Sequence, residues 1–325
     1  SELRRHDSAR GARPILMELV KVDSGAPVMH GVRAIVTVPP YAAFVEEVAR
    51  HPIVGGLRLN TVMPIKGPLE DVLERLSSLG QPLWVDLKGR QLRVVEAAVP
   101  PFTSVRLSHR ISVKTPADAF FSDGREYARI VEVDGDRLIL DESPHRVVGP
   151  GESVNIIADD LEIEGTLTAT DRAYLAAMRA LGLKDVMLSF VERPEDITEV
   201  HELLPDANLV LKIESLRGLD YVREHGHARG RLMAARGDLY VEVLQPHRIV
   251  GAMRDIIGAD PDAIVASRVL ASLAVDAVPS CSDISDVAFC LSLGYRTFML
   301  GDEVCLRRES VIPALNLLSE IARES

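Results

Sequence analysis

Lys212 and Glu214 stand two residues apart at the end of a short apolar run, so on an extended chain they project to the same side. Asp238 lies just past the next such run. An ammonium beside one carboxylate, with a second carboxylate one strand over, supplies two hard oxygen ligands and a counter-charge. Mg²⁺ or Mn²⁺ is commonly held by one or two carboxylates, with waters and a chelating substrate completing the shell. Other polar residues close similar runs: Arg58 and Asn60, then Asp86 with Lys88, then Ser189, Arg236 and Ser267. A single such residue would read as part of a structural ion pair. Several converging on one rim read as a site.

The runs that must position them are 33–38 (RAIVTV), 54–59 (VGGLRL), 82–87 (PLWVDL), 185–190 (DVMLSF), 207–213 (ANLVLKI), 230–235 (GRLMAA), 263–267 (AIVAS) and 296–300 (RTFML). Each is too short for a helix. Parallel strands covered on both faces lose their polar alternation, so these read as buried strands. Helical patterns lie between them at 170–181, 194–204 and 280–293, and another at 310–322 ends the sequence. Thr170 is the expected N-cap of the first. Eight strands with following helices predict an α/β fold, a closed (β/α)8 TIM barrel. An open doubly wound sheet would advertise a glycine-rich phosphate loop, and neither GxGxxG nor GxxxxGK[ST] occurs.

Residues 94–164 break the rhythm. Turn signals at 122–124, 134–136 and 148–151 separate short alternating runs, with antiparallel strands expected at 127–133 and 137–140. The expected organisation is an N-terminal arm over 1–30, a barrel from 31–93 and 165–325, and a small all-β lid over 94–164, inserted after the third strand. Reactive residues in such barrels sit where strands end and βα loops begin.

The 325 residues are 47% hydrophobic and carry a net charge of −11. An acidic balance argues against general nucleic-acid binding, and no apolar run approaches the length of a membrane span. Residues 1–14 are polar and Arg-rich, unlike a secretory signal. Cys281, Cys290 and Cys305 form no CxxC pair and are expected to be small buried hydrophobes in a reduced, cytoplasmic protein. His201-Glu202 lacks the second histidine of a zinc helix, since position 205 is Pro, and His225-Gly226-His227 reads as a solvated turn.

The stretches 85–93 (VDLKGRQLR), 57–60 (LRLN), 188–191 (LSFV), 211–214 (LKIE), 235–239 (ARGDL), 285–288 (SDVA) and Met299-Leu300 resemble pyruvate kinase motifs, in the right order and at strand ends. The resemblance spans about residues 33–305. It implies that Glu214 and Asp238 hold Mg²⁺ or Mn²⁺, and that Lys212 neutralises charge developing on the phosphoryl group and enolate. It further implies that Arg58 and Arg93 contact phosphate, and that Ser267 stands near the protonation site. Ala235, Arg236 and Gly237 would cradle the substrate carboxylate, with Ser189 beside it, while Asn60 and Asp86 would bind K⁺. Phosphoenolpyruvate, pyruvate or a related 2-oxo acid is the implied small-molecule substrate, with a nucleotide as possible partner.

The sequence also departs from that pattern. Val62 replaces a cation-binding serine, and Glu152 stands where a basic residue would face nucleotide phosphate. Tyr240 replaces a glycine, and Gly301-Asp302-Glu303-Val304 replaces Ser-Gly-Glu-Thr. The family's regulatory C-terminal domain has no counterpart in this sequence, which leads us to expect a homodimer through the barrel. The leading expectation is a Mg²⁺-dependent phosphotransferase acting on phosphoenolpyruvate or a pyruvate enolate. Two alternatives stand beside it. One is a metal-dependent 2-oxo acid aldolase or lyase, since 213–218 (IESLRG) also resembles relatives of the citrate lyase β-subunit. The other is a non-catalytic homologue.

Overall fold

The computed structural model describes residues 31–122 and 124–325; the expected arm over 1–30 lies outside them. Three strands open the fold: β1 (Arg33–Thr37), β2 (Val54–Asn60) and β3 (Leu83–Leu87). Seven short strands follow: β4 (Ser104–Arg106), β5 (Ile111–Ser112), β6 (Ala117–Phe121), β7 (Glu126–Asp134), β8 (Arg137–Leu140), β9 (Val154–Ile156) and β10 (Glu162–Ile163). The barrel then resumes with β11 (Asp185–Leu188), β12 (Asn208–Ile213), β13 (Arg231–Ala235), β14 (Ile264–Ala266) and β15 (Thr297–Leu300). Its closed order is β1-β15-β14-β13-β12-β11-β3-β2, with parallel pairing throughout. All eight expected runs form these strands.

Strand periodicity sorts the side chains into two cores. Ala34, Val36, Val186, Leu188, Leu209, Leu211, Leu232 and Ala234 face outward and pack under the helices. Their alternates Ile35, Met187, Val210, Met233, Ile264 and Met299 fill the barrel interior, with Trp84 against them. Gly56 makes room for that ring, since a Cβ there would lie 3.1 Å from the Trp84 indole. The same period carries the inward columns up to polar residues: Trp84 leads to Asp86, Met187 to Ser189, and Val210 to Lys212 and Glu214. Apolar packing fills the lower barrel and charge is collected at the strand ends.

Between β3 and β11 the chain builds a five-stranded antiparallel sheet, β4-β8-β7-β6-β9, and a two-stranded β10-β5 pair. A separate hydrophobic cluster that includes Phe121, Ile130 and Leu138 packs there. β7 and β8 form the hairpin expected around 134–136, with Gly135 at φ 63°.

Two local expectations are corrected. The N-cap of helix Ala169–Leu181 is Thr168 rather than Thr170. Thr168 Oγ1 accepts the Asp171 N–H, and the Asp171 carboxylate accepts the Thr168 N–H at 3.0 Å. Asp171 also accepts the N–H groups of Lys88 and Gly89, at 2.9 and 3.2 Å, pinning the exit from β3. Among the cysteines, Cys290 and Cys305 are buried but Cys281 is exposed. It opens helix Cys281–Leu293 directly after the Ser280 cap, in the exposed first turn.

Candidate active site

The polar strand ends meet in one cleft of ≈ 580 Å³, lined by Arg58, Asn60, Lys88, Gln91, Arg93, Lys212, Glu214, Gly237, Asp238, Ser267, Arg268 and Asp302, and by Ser122, Arg125 and Ser153 from the inserted sheets and their loops. Asp86 is the fully buried centre of its charge system. Arg58 donates to Asp86 Oδ2 through Nε, at 2.9 Å, and through Nη2. Lys88 Nζ reaches Oδ2 and Lys212 Nζ reaches Oδ1, both at 3.3 Å. Burial works against ionising Asp86, but Lys212, Lys88 and Arg58 outweigh it and hold its carboxyl well below the usual range.

Lys212 Nζ also donates to Ser189 Oγ at 2.7 Å and lies 3.2 Å from Glu214 Oε1. Burial opposes its charge, yet Asp86 and Glu214 raise its pKa, so the ammonium persists. Lys88 responds the other way. Desolvation, with Arg93, Lys212 and Arg58 adding to it, outweighs Asp86 and brings Lys88 down to about 7.

Glu214 Oε2 accepts the Phe190 N–H at 2.9 Å, from a residue held at φ 52°. Asp238 Oδ2 accepts from Gln91 Nε2 at 2.8 Å. Both carboxylates are buried and both line the cleft. Among the described residues no group of three or more His, Cys, Asp or Glu side chains forms a ready cage. The donor set that is present, two carboxylates opening on a cleft, fits a hard divalent ion whose remaining shell comes from substrate and water.

The other expected residues divide. Arg93 lines the cleft, and its guanidinium donates to Gln91 Oε1 and the Gly151 carbonyl, both neutral acceptors. Ser267 lines it at φ 67°. Gly237 contributes backbone there, while Ala235 packs into the barrel interior. Arg236 turns its guanidinium outward to Asp286, at 2.6 and 2.8 Å, and to the Ser267 carbonyl at 2.9 Å, so it buttresses the loop instead of entering the cleft.

The residues at the expected monovalent-ion site do not fit such an ion. Asp86 is surrounded by three cations, the Asn60 side-chain oxygen accepts the Val62 N–H, and Asn60 Nδ2 donates to Asp302 at 2.7 Å. Glu152 is likewise turned inward. It pairs with Arg146 at 2.7 Å, accepts the Gly149 N–H at 2.6 Å and binds Ser122, so its charge is spent locally.

Asp302 and Gln91 are site residues that the sequence reading did not assign. Gln91 lies within the VDLKGRQLR stretch, and Asp302 follows β15 at the rim, where the strand-end rule applied one strand further would have found it. Asp302 Oδ1 accepts from Arg58 Nη1 at 2.9 Å. Glu242, also unassigned, is buried where the inserted strand β9 meets the barrel and accepts from Asn155 Nδ2 at 3.0 Å. Burial, with Glu192 and Asp238 nearby, outweighs Asn155 and Arg217 and raises its carboxyl from 4.5 to about 8. The folded state therefore holds a proton that the unfolded chain releases, and stability present below pH 4.5 is lost progressively up to about pH 8. Glu242→Gln should match wild type in acid and melt several degrees higher at pH 9, as thermal denaturation across pH will show.

A family model described as "Pyruvate kinase, barrel domain" matches residues 106–306, more than half of the chain. The chain belongs to the pyruvate kinase family. A pyruvate kinase of Agrobacterium vitis is 34% identical over 207 residues, covering 61% of this chain and 42% of that protein. One from Thermoplasma acidophilum is 32% identical over 177 residues, covering 52% and 32%. One from Methanocaldococcus jannaschii is 25% identical over 297 residues, covering 84% and 65%. The chain thus spans less than two thirds of each of these pyruvate kinases. No helix of the described residues is long and apolar enough to cross a membrane.

Proposed function

We propose that this pyruvate kinase homologue is a Mg²⁺- or Mn²⁺-dependent phosphotransferase that handles phosphoenolpyruvate through a pyruvate enolate. The observation that carries the proposal is the placement of Lys212 Nζ 3.2 Å from Glu214, in the same cleft as Asp238 and Arg93. Glu214 and Asp238 would hold the divalent ion, which when bound supplies Lewis-acid polarisation of a chelated oxyanion. Lys212, kept charged by its neighbours, offsets negative charge that grows as the phosphoryl group leaves. Arg93 supplies a guanidinium whose hydrogen-bond partners are neutral, so no carboxylate is bonded to it, although Asp238, Asp86 and Glu214 act on its charge from nearby. Ser267, on the cleft wall, would offer its hydroxyl for protonation of the enolate carbon. The inserted sheets, which bring Ser122, Arg125 and Ser153 to the cleft, are proposed to act as a lid that excludes water. A cytoplasmic setting and a homodimer through the barrel belong to the same proposal.

Asp238→Asn and Glu214→Gln should each weaken Mn²⁺ binding more than ten-fold, read from the free-Mn²⁺ electron paramagnetic resonance signal. For the reaction, ³¹P NMR should show phosphoenolpyruvate consumed with Mg²⁺ and a nucleotide diphosphate or another acceptor. A phosphoenolpyruvate signal that persists with every acceptor sinks the phosphotransferase reading.

A second reading is favoured by one observation: Arg58 is already engaged by Asp86 and Asp302. A guanidinium so neutralised is a poor phosphate ligand. The alternative chemistry joins or cleaves a pyruvate enolate and a carbonyl electrophile, as a 2-oxo acid lyase does, and it needs the metal pair and Lys212 but no phosphoryl subsite. Release of pyruvate from a 2-oxo acid in the absence of phosphoenolpyruvate turnover would establish it.

A further inference from the structure

The cations of the cleft differ in how far their charge is already used. Arg58, Lys88 and Lys212 share Asp86, with Asp302 and Glu214 adding to the neutralisation, and Arg125 pairs with Glu303 at 3.3 Å. Arg93 is bound to neutral acceptors. Arg268 has a different partner: its guanidinium carbon lies 4.4 Å from the centroid of the Tyr240 ring. A ring face orients a guanidinium and leaves its in-plane N–H groups available to a ligand.

The backbone beneath Arg268 is built to hold it. Ser267, Arg268 and Leu270 all adopt positive φ, at 67°, 59° and 52°. Such conformations are costly for residues with side chains and persist when their surroundings over-determine them. Those surroundings are visible here. Arg236 grips the Ser267 carbonyl at 2.9 Å, and Val269 and Leu270 are buried in the outer core. The strained turn delivers an exposed arginine to the wall of the cleft beside Ser267.

We propose that Arg268 is a specificity-determining residue that binds a second carboxylate of the substrate, so that the preferred ligand is a 2-oxo dicarboxylic acid or its enol. This rests on the 2-oxo acid lyase reading, in which Glu214 and Asp238 hold a divalent ion chelated by the 2-oxo acid end, since phosphoenolpyruvate carries no second carboxylate. A carboxylate is favoured over a phosphate because one guanidinium balances one planar monoanion in both shape and charge. A dianion calls for a second cation, and Arg125, which also lines the cleft, is already paired with Glu303. Tyr240 is the positioning residue that keeps the fork aimed.

The test is calorimetry with Mn²⁺ present, comparing ligands of equal length with and without the distal charge: oxaloacetate against 2-oxobutyrate, and 2-oxoglutarate against 2-oxopentanoate. Oxalate reports on the metal end alone. In at least one pair the dicarboxylate should bind ten-fold or more tightly. Arg268→Gln should abolish that preference and leave oxalate affinity unchanged, and Tyr240→Leu should reduce it. Arg268 is exposed, so the variant is expected to fold, and circular dichroism checks this. Oxalate binding without a dicarboxylate preference in either pair, or a preference that survives Arg268→Gln, overturns the role of Arg268. Absence of oxalate binding to wild type overturns the metal-chelate reading instead, and this inference with it.

Discussion

Lys212→Met is expected to lower the catalysed rate by about 10³-fold or more while leaving the protein folded, a loss typical of removing an electrostatic group aimed at developing charge. The variant keeps the apolar stem but removes the ion-pair partner of buried Glu214, so some loss of stability is expected with it. Circular dichroism and a melt at the assay temperature check that the protein stays folded. Asp86 retains Arg58 and Lys88, and Glu214 retains the Phe190 N–H. What disappears is the one ammonium that touches Asp86, Ser189 and Glu214 together. Two readouts separate its role from metal binding. Exchange of the C3 protons of pyruvate, followed by proton NMR in D₂O, reports enolate stabilisation without an acceptor. Mn²⁺ affinity reports the carboxylate pair. Slow exchange with near-normal Mn²⁺ binding is the expected pattern, and exchange within ten-fold of wild type would remove Lys212 from the chemistry.

Asp86→Asn should act on stability instead, costing about 3–5 kcal/mol in denaturant unfolding, the usual range when one member of a buried charge system is removed. The substitution preserves shape and leaves Arg58, Lys88 and Lys212 buried around a neutral amide. The loss should also depend on pH. Lys88 is already depressed to about 7 with Asp86 in place, and it falls further without that carboxylate. The unfolded chain then holds a proton that the folded state has released. The stability of Asp86→Asn should therefore recover as pH rises from the depressed folded value toward 10.5, the ordinary lysine value. A variant as stable as wild type at pH 7 would show that Asp86 is not the keystone of the network.

The barrel was legible because its strands are short, apolar and bounded, and because inward columns such as Val210, Lys212 and Glu214 follow a period of two without exception. The meeting of Glu214 and Asp238 in one cleft was legible for the same reason, since the strand-end rule puts both carboxylates on one rim. What the sequence did not show was allocation. Arg58 and Arg93 look equivalent as letters, yet one is neutralised by Asp86 and Asp302 and the other bonds to an amide and a carbonyl. Arg236 reads as a substrate residue within ARGDL, but Asp286, far along the chain, claims its guanidinium. Glu152 reads as a repulsive charge until Arg146 is seen beside it. Each of these depends on a partner remote in sequence or on a side-chain direction, and local spacing encodes neither.

Asp171 has a mechanical consequence. One carboxylate binds Lys88 and Gly89, where the chain leaves the barrel, and Thr168, where it comes back. Departure and return are clamped to the same point, so force transmitted down either connection is grounded on the barrel wall before it reaches the end of β3. Any movement of the sheets above would therefore have to turn about points between Gly89 and Thr168, beyond the clamp and outside the charged platform around Asp86.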